Sequence, residues 1–261
     1  MAYDNLTDLN ISLDHYVATV EIARAPHNFF DMALIRALAE AYEGLDADPD
    51  CRAIVLCSEG KSFCAGANFS ARRGQDAAEA RDQASQLYLE AVRLFRCHKP
   101  VVAAVQGAAV GGGLGLAMSA DFRVTCDEGR FSANFARLGF HHGFGLTVTL
   151  PRAIGHSNTE WMFYSGTRVK GPEAVQMGMA QKLVPLADVR QTAFDMAREI
   201  AISAPLAIRE MHKTQRGMLA DEVRVATDHE LAVQSTLRES EDFKEGVKAM
   251  SERRDPNFQG C

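Results

Sequence analysis

The stretch GAAVGGGLGLAMSADFRV at residues 107–124 sets three consecutive glycines, Gly111, Gly112 and Gly113, between a buried apolar run and a short apolar helix. Glycine lets the backbone take unusual dihedrals and lets a ligand approach the main chain closely. The first N–H groups of a helix have no internal partner and sit at the positive end of its dipole. An oxygen that gains negative charge is therefore stabilised there. A second stretch of small residues, SFCAGANF at 62–69, bares its main chain in the same way at Ala65, Gly66 and Ala67. Taken singly, each segment reads equally well as a tight turn packed on its neighbour. The glycines follow neither the GxxxxGK[ST] pattern nor the spacing of a dinucleotide fingerprint, which disfavours a phosphate loop.

Working outward, Val101–Val105 and Arg52–Cys57 are short apolar runs bounded by polar residues, the pattern of strands buried on both faces. Ile11–Leu13 and Tyr16–Ile22 alternate roughly at period two and predict an opening hairpin. Asp31 caps a predicted helix to about Leu45, with Leu34, Ile35, Leu38 and Tyr42 on one face. A loop over Ser58–Ala71 precedes a long helix from Asp76 to Arg96 that turns Leu87, Ala91, Leu94 and Phe95 inward. A further strand covers Phe122–Val124. Beyond it helices dominate: Ser157–Tyr164, Gly171–Met177, Leu186–Ile202, Pro205–Met218, Glu222–Leu237 and Glu241–Glu252. Trp161 and Tyr164, at helical spacing, read as core packing. A β-rich core followed by a helical tail makes this an α/β chain, divided near Pro185 into residues 1–185 and 186–261.

With 261 residues and 47% hydrophobic content the chain can bury a large core without staples. Its net charge of −6 is modest and its 28 Lys and Arg are scattered, so no nucleic-acid footprint is expected. The six cysteines show no CxxC pairing and read as reduced thiols of a cytoplasmic protein. No secretory leader and no apolar run long enough for a membrane span are visible.

Together, SFCAGANF and GAAVGGGLGLAMSADFRV resemble the two oxyanion segments of the crotonase (enoyl-CoA hydratase/isomerase) superfamily, in the expected order and separation. Pro26 and Asn28 in the first turn, FARLGFHHGFGLTVTLPRAIG at 135–155, GPEAVQMGMAQKLVP at 171–185 and EDFKEGVKAMSERRDPNF at 241–258 extend the match over nearly the whole chain. The resemblance implies a crotonase-like spiral of ββα units with a helical C-terminal trimerisation region, assembled as a homotrimer or hexamer. It implies an acyl-CoA thioester whose carbonyl meets the Ala67 and Gly112 amides, with Ala65, Asn68, Gly111, Gly115 and Phe135 around the substrate. Arg253 is placed to reach the coenzyme's phosphates. Coenzyme A enters as part of the substrate, and neither a separate cofactor nor a metal is expected.

The sequence also departs from that family. Hydratases of this type use two glutamates, whereas the matching positions here are Gly115 and Phe135, whose side chains cannot move a proton. The loop after the second position reads Gly139, Phe140, His141, His142, Gly143. His142 and His141 are the candidate acid/base groups, with histidines bonded to loop carbonyls as the structural alternative. Gly143 matches an aspartate of the dienoyl-CoA isomerases. Two functions stay open: an enolate-stabilising enzyme and a non-catalytic acyl-CoA binding or scaffold protein.

Overall fold

The computed structural model describes residues 6–68 and 77–261, with the side chains of 77–80 left aside. The end of the loop expected over Ser58–Ala71, and the Asp76 start of the second helix, lie outside the described residues. Strands β1 (Leu9–Asp14) and β2 (Val17–Ile22) form the expected antiparallel hairpin, Leu9 opposite Ile22. Parallel pairing then adds β3 (Ala53–Ser58) and β4 (Val101–Val105). Among the described residues the sheet runs β1-β2-β3-β4-β6-β9, with β6 at Phe122–Thr125 and β9 at Lys182–Leu183. A second sheet, β5 (Ala108–Val110), β7 (Arg130–Ser132) and β8 (Arg168–Lys170), has the order β5-β7-β8 and went unread in the sequence because its strands are three residues long.

Alternation along β3 distributes its side chains between two cores. Ile54 and Leu56 join the larger cluster, with Leu34, Ile35 and Leu38 of α1 (Met32–Ala47) and Leu87, Ala91 and Leu94 of α2 (Ala77–Leu94). Ala53, Val55 and Cys57 join the smaller one, which α7 (Val189–Ala201) covers with Val189, Ala193, Ala197 and Ala201. Burial on both faces is what the apolar run predicted. Because α7 lies on the sheet, the helical region after residue 185 is continuous with the core.

The GGG turn opens α3 (Gly112–Ser119), and α4 (Leu146–Ile154), α5 (His156–Ser165) and α6 (Gly171–Gln176) follow. Helix α4 was not foreseen, since Pro151 sits inside it. Trp161 and Tyr164 on α5 are corrected: they are 65% and 76% exposed, on the face turned away from the core. The chain ends in α8 (Pro205–Arg216), α9 (Leu219–Leu237) and α10 (Glu241–Glu252). Asp121 ties α8 to the sheet, accepting from His212 Nε2 and Arg216 Nε at 2.9 Å and from the Val101 N–H at 2.8 Å. Burial by itself would raise this carboxyl's pKa, but Arg216 and His212 more than offset it and hold the group well below the usual carboxylate range.

Candidate active site

Asn28 fixes the approach to the first small-residue segment. Fully buried, it donates from Nδ2 to the carbonyls of Glu59 and Ser62 at 2.8 and 2.7 Å, bracing the loop that leads to Ala65–Ala67. Backbone pairing then locks this segment between two others. Cys64 bridges Ala109, with Cys64 N–H to Ala108 O at 2.8 Å and Val110 N–H to Cys64 O at 3.0 Å. Ala67 bridges Phe30, with Phe30 N–H to Gly66 O at 3.1 Å.

Close main-chain contact explains the glycines. A Cβ on Gly113 would fall 2.1 Å from Cys64 O, and one on Gly66, at φ +87°, would fall 2.7 Å from Val110 O and 3.9 Å from Gly112 N. The two segments therefore touch, and both line one cavity of about 310 Å³. Ala65 N–H is taken by His27 O at 3.0 Å and Gly111 N–H by Ser132 O at 2.8 Å. Among the described residues, the N–H groups of Ala67 and Gly112 find no backbone or side-chain acceptor. Gly111, at φ +58°, offers no side-chain cap to α3. Two amide donors at the junction of the segments, one of them opening a helix, are thus unclaimed among the described residues.

The remaining expected residues divide. Ala65, Asn68, Gly111 and Phe135 line the cavity with Ala67 and Gly112. Gly115 is buried one turn into α3 and contributes no lining surface. Any side chain there would meet Phe144, whose Cβ lies 2.5 Å from the position of a Cβ on Gly115. Phe144 is 1% exposed, is held at φ +62° between two glycines and packs 5.5 Å from the Phe30 ring. A non-glycine residue in this region carries backbone strain that its packing must hold in place. Arg253 is exposed at the C-terminal cap of α10 and lies off the cavity, although Met250 in the preceding turn lines it.

His141 and His142 stand behind the cavity wall rather than in it. The His142 ring stacks between His141 at 3.9 Å and Phe163 at 3.8 Å, and its Nε2 lies 2.9 Å from Thr147 Oγ1. Burial, with the nearby His141 and His229, pushes its pKa down to about 3, so the imidazole is neutral. His141 Nδ1 donates to the His142 carbonyl at 2.8 Å. His141 thus matches the structural alternative of a histidine bonded to a loop carbonyl, whereas His142 meets the Thr147 hydroxyl.

What the sequence did not reveal is how α9 builds that loop. Glu230, fully buried, accepts from Gly145 N–H at 2.9 Å, Thr147 N–H at 3.1 Å and Thr147 Oγ1 at 2.6 Å. Burial raises its pKa, and these donors partly counter the rise. Gln234 donates to the carbonyls of His141 at 2.9 Å and His142 at 3.1 Å, and accepts from the Tyr88 hydroxyl at 3.2 Å. Tyr88, Gln234 and Arg238 line the cavity.

A spiral core carrying two main-chain donor segments on one cavity, closed by a helical C-terminal region, is the crotonase architecture. It superposes with a TM-score of 0.86 on the crystal structure of an enoyl-CoA hydratase/isomerase from Pseudoalteromonas atlantica T6c, at 25% identity, covering 97% of this chain and 100% of that one. For an enoyl-CoA hydratase from Mycobacterium avium subsp. paratuberculosis K-10 the TM-score is 0.84 at 25% identity, over 98% and 100% of the two chains. In sequence, the chain is 30% identical over 257 residues to carnitinyl-CoA dehydratase of Salmonella arizonae, covering 97% of this chain and 98% of that protein. Residues 13–261 match the enoyl-CoA hydratase/isomerase family, and the chain belongs to this family of lyases and isomerases.

Proposed function

We propose that this protein is an acyl-CoA thioester enzyme that holds the thioester carbonyl between the amides of Ala67 and Gly112 and stabilises the enolate formed from it. The carrying observation is that both N–H groups lack an acceptor among the described residues and that Ala67 and Gly112 line one cavity. A preorganised donor of this kind contributes about 3 kcal/mol to transition-state stabilisation. Coenzyme A is part of the substrate in this reading. A two-glutamate hydration is disfavoured, because Phe144 fills the space at Gly115 and Phe135 lines the cavity with an aromatic ring.

Saturated, unsaturated and 3-hydroxyacyl-CoA thioesters incubated with the protein and followed by mass spectrometry test the activity, and turnover of one class is expected. Infrared difference spectra of bound butanoyl-CoA test the amide pair: the carbonyl stretch moves to lower wavenumber if both donors engage it. No turnover of any class, with the carbonyl shift present, favours the second reading, a non-catalytic acyl-CoA binding protein, for which Gly115 and Phe135 speak.

Assembly as homotrimers or hexamers belongs to the same reading. Helix α8 buries none of its own residues within one chain, and Leu206 and Met211 on it are 75% and 62% exposed. Light scattering after size exclusion is expected to give three or six chains per particle.

A further inference from the structure

Gly143 follows the two histidines without a side chain of its own, and the space that one would take is already occupied. A Cβ on Gly143 would lie 2.0 Å from the Tyr88 hydroxyl oxygen and 2.6 Å from Gln234 Nε2. Gly143, Tyr88 and Gln234 all line the cavity that Ala67 and Gly112 line, so Tyr88 is part of its wall. Its orientation is fixed from a distance: it donates to Gln234 Oε1 at 3.2 Å, and Gln234 is itself anchored on the His141 and His142 carbonyls. The Phe144 backbone amide faces the same oxygen.

Resting on the thioester reading above, we propose that Tyr88 is the catalytic proton donor to the α-carbon of the bound enolate, with Gln234 as its positioning residue. The enolate's carbon–carbon π electrons form the new C–H bond with the phenol proton, the O–H electrons stay on Tyr88 as phenolate, and solvent returns the proton. Burial, then the Glu230 carboxylate, raise the phenol's pKa, against which Gln234, Arg238 and the Phe144 amide act. His141 and His142 face it from the loop, the latter neutral. Near neutrality Tyr88 is thus an acid toward an enolate and ionised too rarely to be an efficient base.

The test uses butanoyl-CoA in deuterated water, which has no double bond to hydrate, and follows α-hydrogen exchange by mass spectrometry. In the intact protein the exchange rate is expected to rise about tenfold per pH unit from pH 6 to 9, because its reactive form is the phenolate. Tyr88→Phe is expected to slow exchange by about 100-fold or more with little change in butanoyl-CoA affinity. Should Tyr88→Phe fold poorly, 3,5-difluorotyrosine at position 88 preserves the shape and is expected to speed exchange at neutral pH by making the phenol more acidic. A pH-independent exchange rate, or a Tyr88→Phe rate equal to that of the intact protein, overturns the assignment. A carbonyl shift without any exchange overturns it too, leaving the amide pair standing. Absence of the carbonyl shift removes the amide pair, and with it this role.

Discussion

The amide segments at 62–68 and 107–115 and the loop at 139–147 face the same cavity, yet they are held by different kinds of contact. In the first pair, main chain packs on main chain: Cys64 is bonded directly to Ala108 and Val110, and Gly113 lies against Cys64 O. In the loop, side chains from α9 and α2 reach across the molecule, Glu230 to Gly145 and Thr147, Gln234 to His141 and His142, and Tyr88 to Gln234. Donor groups made from main chain need only small residues at fixed places, whereas a shaped wall needs partners distant in the chain.

If that contrast is right, Gly113→Ala should be the most damaging single methyl in the site, because its Cβ would press 2.1 Å from a backbone oxygen that cannot move alone. A loss of about 4 kcal/mol is expected, read by urea denaturation. On the loop side, Glu230→Ala strips three donors of their acceptor. It should cost about 3 kcal/mol and raise amide exchange at residues 143–147 ahead of the rest of the fold. Unchanged protection there would mean that Phe144 packing, and not the carboxylate, sets the loop.

Gly115→Ala should cost about 2 kcal/mol, since its methyl meets Phe144 Cβ at 2.5 Å. Adding Phe144→Gly, which removes that Cβ, is expected to recover part of that loss, and a strictly additive double variant would show that the two residues do not compete for one space. The smallest effect concerns His142. Its folded pKa of about 3 lies below the ordinary histidine value, so between pH 6.5 and 3 the unfolded chain binds a proton that the folded one refuses. Stability is fully present above about 6.5 and falls as the pH drops, by at most about 1 kcal/mol between pH 6.5 and 5.5. His142→Gln should lack that part of the decline in melting temperature.

The legible part of the sequence follows the same divide. Strand β3, helix α1 and the inward face of α2 were readable because apolar spacing records which face meets the core. The segments around Ala67 and Gly112 were readable as small-residue stretches that bare their main chain, and both residues line the cavity. Tyr88, Phe144 and Glu230 were not, since nothing local marks a tyrosine in one helix as the neighbour of a glycine on a distant loop. The histidine pair drew attention by its chemistry, although its rings are used to stack on each other and on Phe163. Trp161 and Tyr164 share the right spacing for core residues, but they lie on the outer side of α5.

Phe144 stands in a strained backbone conformation with a glycine on either side and its ring against Gly115. This part of the cavity wall is therefore supplied by a turn and packs on the helix that begins at Gly112. A lineage descended from this protein could reshape the cavity by exchanging that single ring, while the main chain at Ala67 and Gly112 passed unaltered from ancestor to descendant.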